Sequence, residues 1–453
     1  MASGINEIPT YKRLKNAFIE NNVENTYAKK WYMLFIVINL LSFGLCSLFT
    51  TLSFLKLYAK AIMYYFSFAI WFITATLINP CWIKKRRTFI ICFAIYIFTL
   101  YGDFVLSNSA TFLDTFYRGG VFVFFYMFMG LFYTDNFKKR QMQYLIVMIT
   151  MLLAISYIAT AIGLKKWPNA SRWLASENEI NAFFMKRGIG GFGYIYAMPF
   201  LFVVCLFLIS KKQKPIIILS ALSMIALMVI VILRANYTTA LAIALASIGL
   251  GVFLIGEKEP RLRILALGFV TCLALVCLPF ALQYAIKTAP KDQAMYVRLV
   301  QLYDALFNGK FLELERVKLM QQSFNAFLKN PLTGLIGLPK VYGGHSGIVD
   351  ALGLYGLLAI PYYCIYLSAF YYQYKSLETR RGKNSMLIVF ALFIMEAITN
   401  PLQVSTLIGY VAFCYVPLLI KCTEQGTRKG KCFSTKTNRS KASALQTGKE
   451  KRL

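Results

Sequence analysis

Long apolar stretches recur along this chain and limit what it can fold into. Each is about 20 residues long, which is enough for a helix to cross a bilayer. Hydrophobic residues make up 58% of the 453 residues and charged residues only 15%, whereas soluble domains carry about a quarter charged residues. The stretches are continuous rather than alternating, which excludes a transmembrane barrel. The sequence therefore predicts an all-α, polytopic helical membrane protein with about twelve transmembrane helices.

The predicted spans divide the chain into five regions. These are an amphipathic N-terminus (1–30), nine transmembrane helices (31–286), a large loop (287–345), three further transmembrane helices (346–420) and a basic tail (421–453). The tail is rich in lysine, serine and threonine and has no apolar periodicity, so we expect it to be disordered.

Basic blocks between the spans predict the orientation of the chain. With twelve spans, both termini and four such blocks fall on one side: 84–87, 138–140, 211–214 and 375–383. Lysine and arginine accumulate in cytoplasmic loops, so this side is predicted to be cytoplasmic. The loops at 164–188 and 287–345 then lie outside. The net charge of +30 is explained by loops that set topology and contact anionic lipid, and we expect no nucleic-acid partner.

The two outer loops nevertheless contain many cations, among them Arg187 in the first and Arg298 and Arg316 in the second. Outer loops are usually poor in such residues, so their excess indicates an anionic ligand, although long loops are also permitted to carry charge. Arg234 stands at the outer end of the seventh span. A guanidinium there either reaches the interface or binds phosphate oxygens in bidentate fashion.

Two helices are predicted inside the large loop. The first covers roughly 293–307 and could be capped by Asp292. The second covers about 312–329 and ends at Asn330-Pro331. Its apolar stripe has helical spacing and consists of Leu314, Val317, Phe324, Phe327 and Leu328. We expect this second helix to lie along the membrane surface or over the bundle.

His345 is the only histidine, and it lies between glycines just before an apolar run. An ionisable group at a membrane edge points to function, but an imidazole could also simply straddle water and lipid. Asp350, five residues later, is placed to orient the ring or an arginine. Two other acidic residues, Asp103 and Glu396, are better interpreted as ion-pair partners of loop cations. No Asp-x-Asp spacing, carboxylate cluster or nucleotide-binding glycine motif occurs, so we expect no metal and no cofactor.

The segment from Arg316 to Gly356 resembles the bacterial O-antigen polymerase and O-antigen ligase family. The shared pattern is an arginine, an amphipathic helix ending in Asn/His-Pro-Leu-x-Gly, a loop to His-Asn/Ser, and an apolar helix with glycines. In this chain the parts are Arg316, Asn330-Pro331-Leu332-Thr333-Gly334, His345-Ser346 and Gly353-Leu354-Tyr355-Gly356. An aspartate at the position of Asp350 is typical of the polymerases. The match covers about a tenth of the chain; the remainder agrees in topology.

The resemblance implies an all-helical, metal-independent membrane glycosyltransferase in the bacterial cytoplasmic membrane. It would polymerise O-antigen or capsular repeat units carried on undecaprenyl pyrophosphate. Catalytic roles would fall to His345, Arg316 and Asp350. The pyrophosphate would be bound by Arg234, Arg316, Arg298 and Arg187. The lipid-linked oligosaccharide and the bilayer would be its partners, joined by a chain-length regulator and a flippase.

Other functions remain open at the level of sequence. A ligase would move finished polymer onto a lipid or protein acceptor. A lipid-linked oligosaccharide flippase would also have about twelve spans, but it would concentrate its charges inside the bundle. A membrane scaffold without chemistry is the fourth possibility.

Overall fold

The computed structural model describes most of the chain as α-helix. The described residues are 26–39, 61–107, 115–116, 120–168, 170–174, 180–211, 213–235, 237–255, 268, 278–280, 282–288, 294–310, 312, 314–401 and 406–425. No strand occurs among them, so the prediction of an all-α chain is confirmed for this part. Most of the predicted N-terminal region and of the tail lies outside the described residues, as do Asp292 and large parts of the first and ninth predicted spans.

Seventeen helices are numbered here in chain order. They are α1 (Thr26–Asn39), α2 (Ala61–Ile78), α3 (Cys81–Lys85), α4 (Arg87–Ser107), α5 (Val121–Asn136), α6 (Lys139–Lys166), α7 (Ala170–Trp173), α8 (Ile180–Lys186), α9 (Phe192–Ser210), α10 (Pro215–Ala235), α11 (Thr238–Leu254), α12 (Ala294–Phe307), α13 (Glu315–Lys329), α14 (Gly347–Tyr355), α15 (Ile360–Ser376), α16 (Arg380–Thr399) and α17 (Thr406–Tyr410). A 3-10 turn joins α14 to α15. Beyond α17 the helix continues through a π-helical turn, Val411–Tyr415, to residue 425.

Seven helical segments in the described part are long and apolar enough to cross a membrane. Three shorter apolar helices accompany them: Tyr65–Ile78, Val121–Asn136 and Thr239–Leu254. The protein is therefore a helical membrane protein by length and composition of its helices. These ten segments coincide with ten of the predicted spans. Basic residues at the ends of many apolar runs mark where the helices begin or end in the sequence.

The interior of the bundle is formed by α5, α9 and the continuous helix 406–425, here called the last helix. Every residue of α5 from Val121 to Thr134 is buried. Helix α5 and the π-helical turn after α17 approach closely, since a Cβ on Gly130 would lie 1.9 Å from the carbonyl oxygen of Phe413. By contrast α4, α6 and α10 expose large apolar side chains such as Phe98, Ile162 and Ile216. Apolar exposure of this kind suits contact with lipid.

Contacts between helix ends define one end of the bundle, here called the basic end. Arg86 forms an ion pair with Asp135. Arg381 donates from Nη1 to the carbonyl of Ser210 at 2.9 Å, and Lys211 donates from Nζ to Thr423 at 2.7 Å. All four predicted basic blocks have residues at this end. The opposite end, here called the loop end, contains Arg316 and His345.

Helix α13 buries small residues at the loop end and leaves part of its predicted apolar stripe exposed. The residues it buries are Ser323 and Ala326, whereas Phe324 and Leu328 of the predicted apolar stripe are exposed. Small residues permit close packing of two helices, and the larger apolar side chains are left on the outer face. This arrangement agrees with a helix that lies over the bundle and presents its apolar stripe to lipid.

Candidate functional site

The motif that carries the family resemblance forms two turns that interlock. The turn that follows α13 contains Pro331 and Gly334, and the end of α14 contains Leu354 and Gly356. The Leu335 N–H donates to the carbonyl of Leu354 at 2.9 Å, and the Leu357 N–H donates to that of Pro331 at 2.8 Å. These bonds fix the end of α13 to the end of α14.

Two glycines of the motif are required by backbone geometry. Gly334 and Gly356 have φ angles of +59° and +58°, which residues with a side chain rarely adopt. A Cβ on Gly334 would lie 2.6 Å from the oxygen of Gly353, and one on Gly356 would lie 2.5 Å from that of Pro331. The glycines therefore allow the two turns to touch, and this part of the motif has a structural role.

Asp350 connects α13, α14 and the loop that carries the histidine. Its side chain is fully buried. It accepts a hydrogen bond from the Ser323 hydroxyl at 2.6 Å and one from the Ser346 N–H at 2.9 Å. Ser323 in turn accepts from the Gly343 N–H at 2.8 Å. The carboxylate thus holds residues 343–346 in place rather than facing a substrate directly.

The last turn of α16 anchors both Arg316 and the histidine loop. Arg316 donates from Nη1 to the carbonyl of Thr399 at 2.8 Å. The Gly347 N–H donates to the carbonyl of Asn400 at 3.1 Å, and the Ser346 hydroxyl lies 3.4 Å from that of Ala397. The carbonyls at a helix C-terminus lack intrahelical partners, which makes them ready acceptors. The Arg316 guanidinium and the backbone that follows His345 are consequently held around a single helix end.

His345 itself is exposed, in contrast to its neighbours Ser346 and Gly347, which are buried. Gly344 precedes it with a φ of +72°, so the chain turns sharply at this point. The ring is therefore accessible to a ligand while the backbone on both sides is fixed. This combination suits a reactive group better than a mobile loop would.

Tyr196 lies beside Arg316 on the inner side of the site. Its side chain is 1% exposed. The Tyr196 hydroxyl lies near the Arg316 guanidinium and Thr239, and near the carboxyl group of Glu396. Four helices, α9, α11, α13 and α16, therefore contribute polar side chains to the same place.

Glu396 does not form the ion pair that the sequence suggested, as far as the described residues show. The sequence suggested an ion-pair partner, but among the described residues neither carboxylate oxygen has a hydrogen-bond partner, and the residue is fully buried. Burying an unpaired carboxylate is unfavourable, so such a group is rarely kept without a reason. The available signal was an acidic residue within a predicted span, which by default indicates function.

Arg234 lies at the same end but is anchored to another helix. It donates from Nη1 to the carbonyl of Ala161 at 3.0 Å and remains exposed. Tyr237, three residues later, packs on Tyr196 with ring centroids 5.6 Å apart. The guanidinium of Arg172 lies 5.4 Å from the centroid of the Tyr237 ring. A line of aromatic and cationic side chains thus leads from Arg172 through Tyr237 and Tyr196 towards Arg316.

The other two predicted phosphate ligands are less closely connected to this site. The guanidinium of Arg187 lies 3.3 Å from the centroid of the Phe183 ring and donates to the carbonyl of Phe183 at 3.0 Å. Arg298 lies within α12, and its side chain is outside the described residues. The structure therefore connects Arg316, Asp350 and the loop of His345 with one another, whereas Arg234 lies at the same end and is bonded to Ala161.

Asp103 pairs with a loop cation as the sequence suggested. The Lys340 ammonium forms an ion pair with its carboxylate and also donates to the carbonyl of Leu335 at 2.7 Å. Asp103 is on α4, so the pair ties the turn after α13 to the rim of the bundle. Its role is to hold that turn in position.

The fold and the site together define a helical membrane protein with cationic, aromatic and ionisable side chains gathered at one end. An arginine and an accessible imidazole whose loop bonds to the same helix end can bind an anion and accept a proton. No protein-family model matches the chain, and no curated protein is significantly similar to it.

Proposed function

We propose that this protein is a polymerase of lipid-linked oligosaccharides. It would join repeat units of O-antigen or capsular polysaccharide, carried on undecaprenyl pyrophosphate, at the outer face of the bacterial cytoplasmic membrane. The observation that carries the proposal is the attachment of both Arg316 and the His345 loop to the last turn of α16. A cation and a proton acceptor at one place are what glycosyl transfer from a pyrophosphate requires.

In the proposed reaction the acceptor sugar hydroxyl attacks the anomeric carbon of the growing chain. The bond from that carbon to the pyrophosphate oxygen breaks, and the leaving group gains negative charge. Arg316 would stabilise that charge, as preorganised donors do in other transferases. Arg234, which lies at the same end, would contact the same diphosphate. Arg187 and Arg298 remain proposed ligands of more distant parts of the donor.

The proton of the acceptor hydroxyl needs a base. His345 is accessible, and a neutral imidazole accepts protons near neutral pH. General base catalysis typically contributes about 10²–10⁴-fold. We assign His345 as the base, which takes the hydroxyl proton and passes it to water, since the ring is exposed. Glu396 is buried near Tyr196 and would act on the site through that side chain. Asp350 then acts as a positioning residue through Ser323 and Ser346.

The proposed orientation follows the positive-inside rule. The basic end would face the cytoplasm, with both termini, and the loop end would face outward. Ten apolar helices are described. Helix α1 and residues 278–280 and 282–288 overlap the two remaining predicted spans, which would complete twelve. Residues 287–345 would then be the large extracytoplasmic loop.

Genetic analysis of a strain that depends on this gene tests the proposal. Deletion should leave single repeats attached to their acceptor, and plasmid-borne wild type should restore long polymer. His345→Ala and Arg316→Ala should fail to restore it at normal protein levels. Lys318→Ala, an exposed cation on the same helix, is the matched control and should restore it.

The same experiment separates the alternatives. Unattached long polymer after deletion would favour a ligase. Repeats trapped on the inner face would favour a flippase, as would translocation by vesicles that contain only this protein. A chain-length regulator would be indicated if polymer forms but its length distribution depends on another gene of the strain.

A further inference from the structure

Helices α6 and α10 enclose a groove near the basic end of the bundle. The two helices are joined at the loop end, where Arg234 donates to the carbonyl of Ala161. Towards the basic end they line a cavity of about 1230 Å³, with α9 and the last helix as its floor. The groove exceeds the roughly 300–1,000 Å³ of ordinary small-molecule pockets. A long, flexible ligand is therefore suited to it.

The walls of this groove are apolar and lie on a lipid-facing surface. Val147 and Met151 line it from α6, and Ile216 lines it from α10; these side chains are 50%, 60% and 70% exposed. Leu219 and Leu222 continue the apolar surface beside it and are 65% and 50% exposed. Apolar walls of this kind favour hydrocarbon over water. Acyl chains of the surrounding membrane would be their natural contact.

The mouth of the groove is polar and positively charged. Lys139 and Lys211 line it, together with Gln143, Gln213 and Thr423. None of the described residues that line the groove is acidic. Glu424, close to Lys211, already accepts hydrogen bonds from Thr379 and from the N–H of Glu378. Burial lowers the pKa of Lys211 from its ordinary value, so a nearby anion would be favourable there.

We propose that this groove binds one anionic glycerophospholipid from the leaflet at the basic end. Its phosphate would lie between Lys139 and Lys211, and its acyl chains would run between α6 and α10. Charge at the mouth and apolar walls below it match the two parts of such a molecule. The inference is independent of the proposed polymerase activity, since the groove is at the end of the bundle opposite His345.

Native mass spectrometry of the full-length purified protein tests the proposal. After exchange into detergent, the protein is titrated with phosphatidylglycerol or phosphatidylcholine. We expect one phosphatidylglycerol molecule to bind, with higher affinity than phosphatidylcholine. Each cation near a phosphate contributes about fivefold to lipid affinity, so Lys139→Gln with Lys211→Gln should weaken binding about 30-fold. Replacing both lysines by arginine should preserve the preference.

Matched variants separate charge, shape and general surface effects. Lys84→Gln with Lys85→Gln removes the same charge from α3, outside the groove, and should leave binding unchanged. Ala154→Phe fills the groove and should reduce binding, whereas Ile155→Phe on the neighbouring lipid-facing position should not. Inorganic phosphate should not compete, which distinguishes a lipid from a free anion.

Equal affinity for both lipids, or equal binding by wild type and the double glutamine variant, would overturn the proposal. Loss of binding in the α3 control would do the same, because it would assign the preference to overall charge. Competition by phosphate with no effect of Ala154→Phe would indicate an anion site without a lipid.

Discussion

The Ser323 hydroxyl donates a 2.6 Å hydrogen bond to the buried carboxylate of Asp350, and this bond joins α13 to α14. Ser323 also accepts from the Gly343 N–H, and Asp350 accepts from the Ser346 N–H. The two side chains therefore fix the backbone before and after His345. The position of the exposed imidazole depends on a buried hydrogen-bond network below it.

Ser323→Ala should release the histidine loop. It removes one hydrogen bond to a buried carboxylate and one to a backbone amide, each worth about 1–3 kcal/mol. Amide hydrogen exchange at Gly343 and Ser346 should accelerate by about tenfold or more. Ser368→Ala is the control, since Ser368 bonds only within its own helix; equal acceleration in both variants would argue against the network.

Close approach of backbones should make Gly353 intolerant of a side chain. A Cβ there would lie 2.6 Å from the carbonyl oxygen of Ser323, so Gly353→Val should force α13 away from α14. Overpacking of this kind typically destabilises by about 1–3 kcal/mol, seen as a lower unfolding temperature in detergent. Gly102→Ala meets nothing within 4 Å and should leave that temperature unchanged or slightly higher. Matching temperatures for the two variants would contradict the packing described.

Substitutions of Lys340 and Asp103 should have strongly non-additive effects on the free energy of unfolding. The Asp103 side chain is only 6% exposed, so Lys340→Met leaves a buried carboxylate without its cation. Removing one partner of a buried pair destabilises by about 3–5 kcal/mol, and replacing both is much milder. Unfolding measurements should show that Lys340→Met alone destabilises the protein more than Lys340→Met combined with Asp103→Asn. Additive effects would mean that the pair contributes nothing.

The sequence predicts the helices better than it predicts the contacts at the candidate site. Apolar runs bounded by charged residues predict the helices well, because the bilayer dictates their length. The buried face of α13 could not be predicted, since lipid accepts apolar side chains as readily as a protein core does; Phe324 is exposed for that reason. The sequence suggested that Asp103 pairs with a loop cation, but it could not show that this cation is Lys340. Asp103 lies 237 positions away in sequence, and only packing brings the two together.

Glu396→Gln should separate stability from function. The glutamine has nearly the same shape and carries no charge, so burying it is no harder than burying the unpartnered carboxylate. We expect an unfolding temperature equal to or above that of wild type, together with loss of long polymer in a strain that depends on the gene. Normal polymer in this variant would exclude a role of Glu396 in the reaction.

Polymer formation by the purified protein in liposomes tests the central claim most directly. Wild type, supplied with an undecaprenyl-pyrophosphate-linked repeat unit in the presence of EDTA, should produce a ladder of longer glycans. Lys318→Ala should do the same, while Arg316→Ala and His345→Ala should slow elongation by about 10²-fold or more. A ladder from either of the latter variants at the wild-type rate would contradict the site built around the last turn of α16.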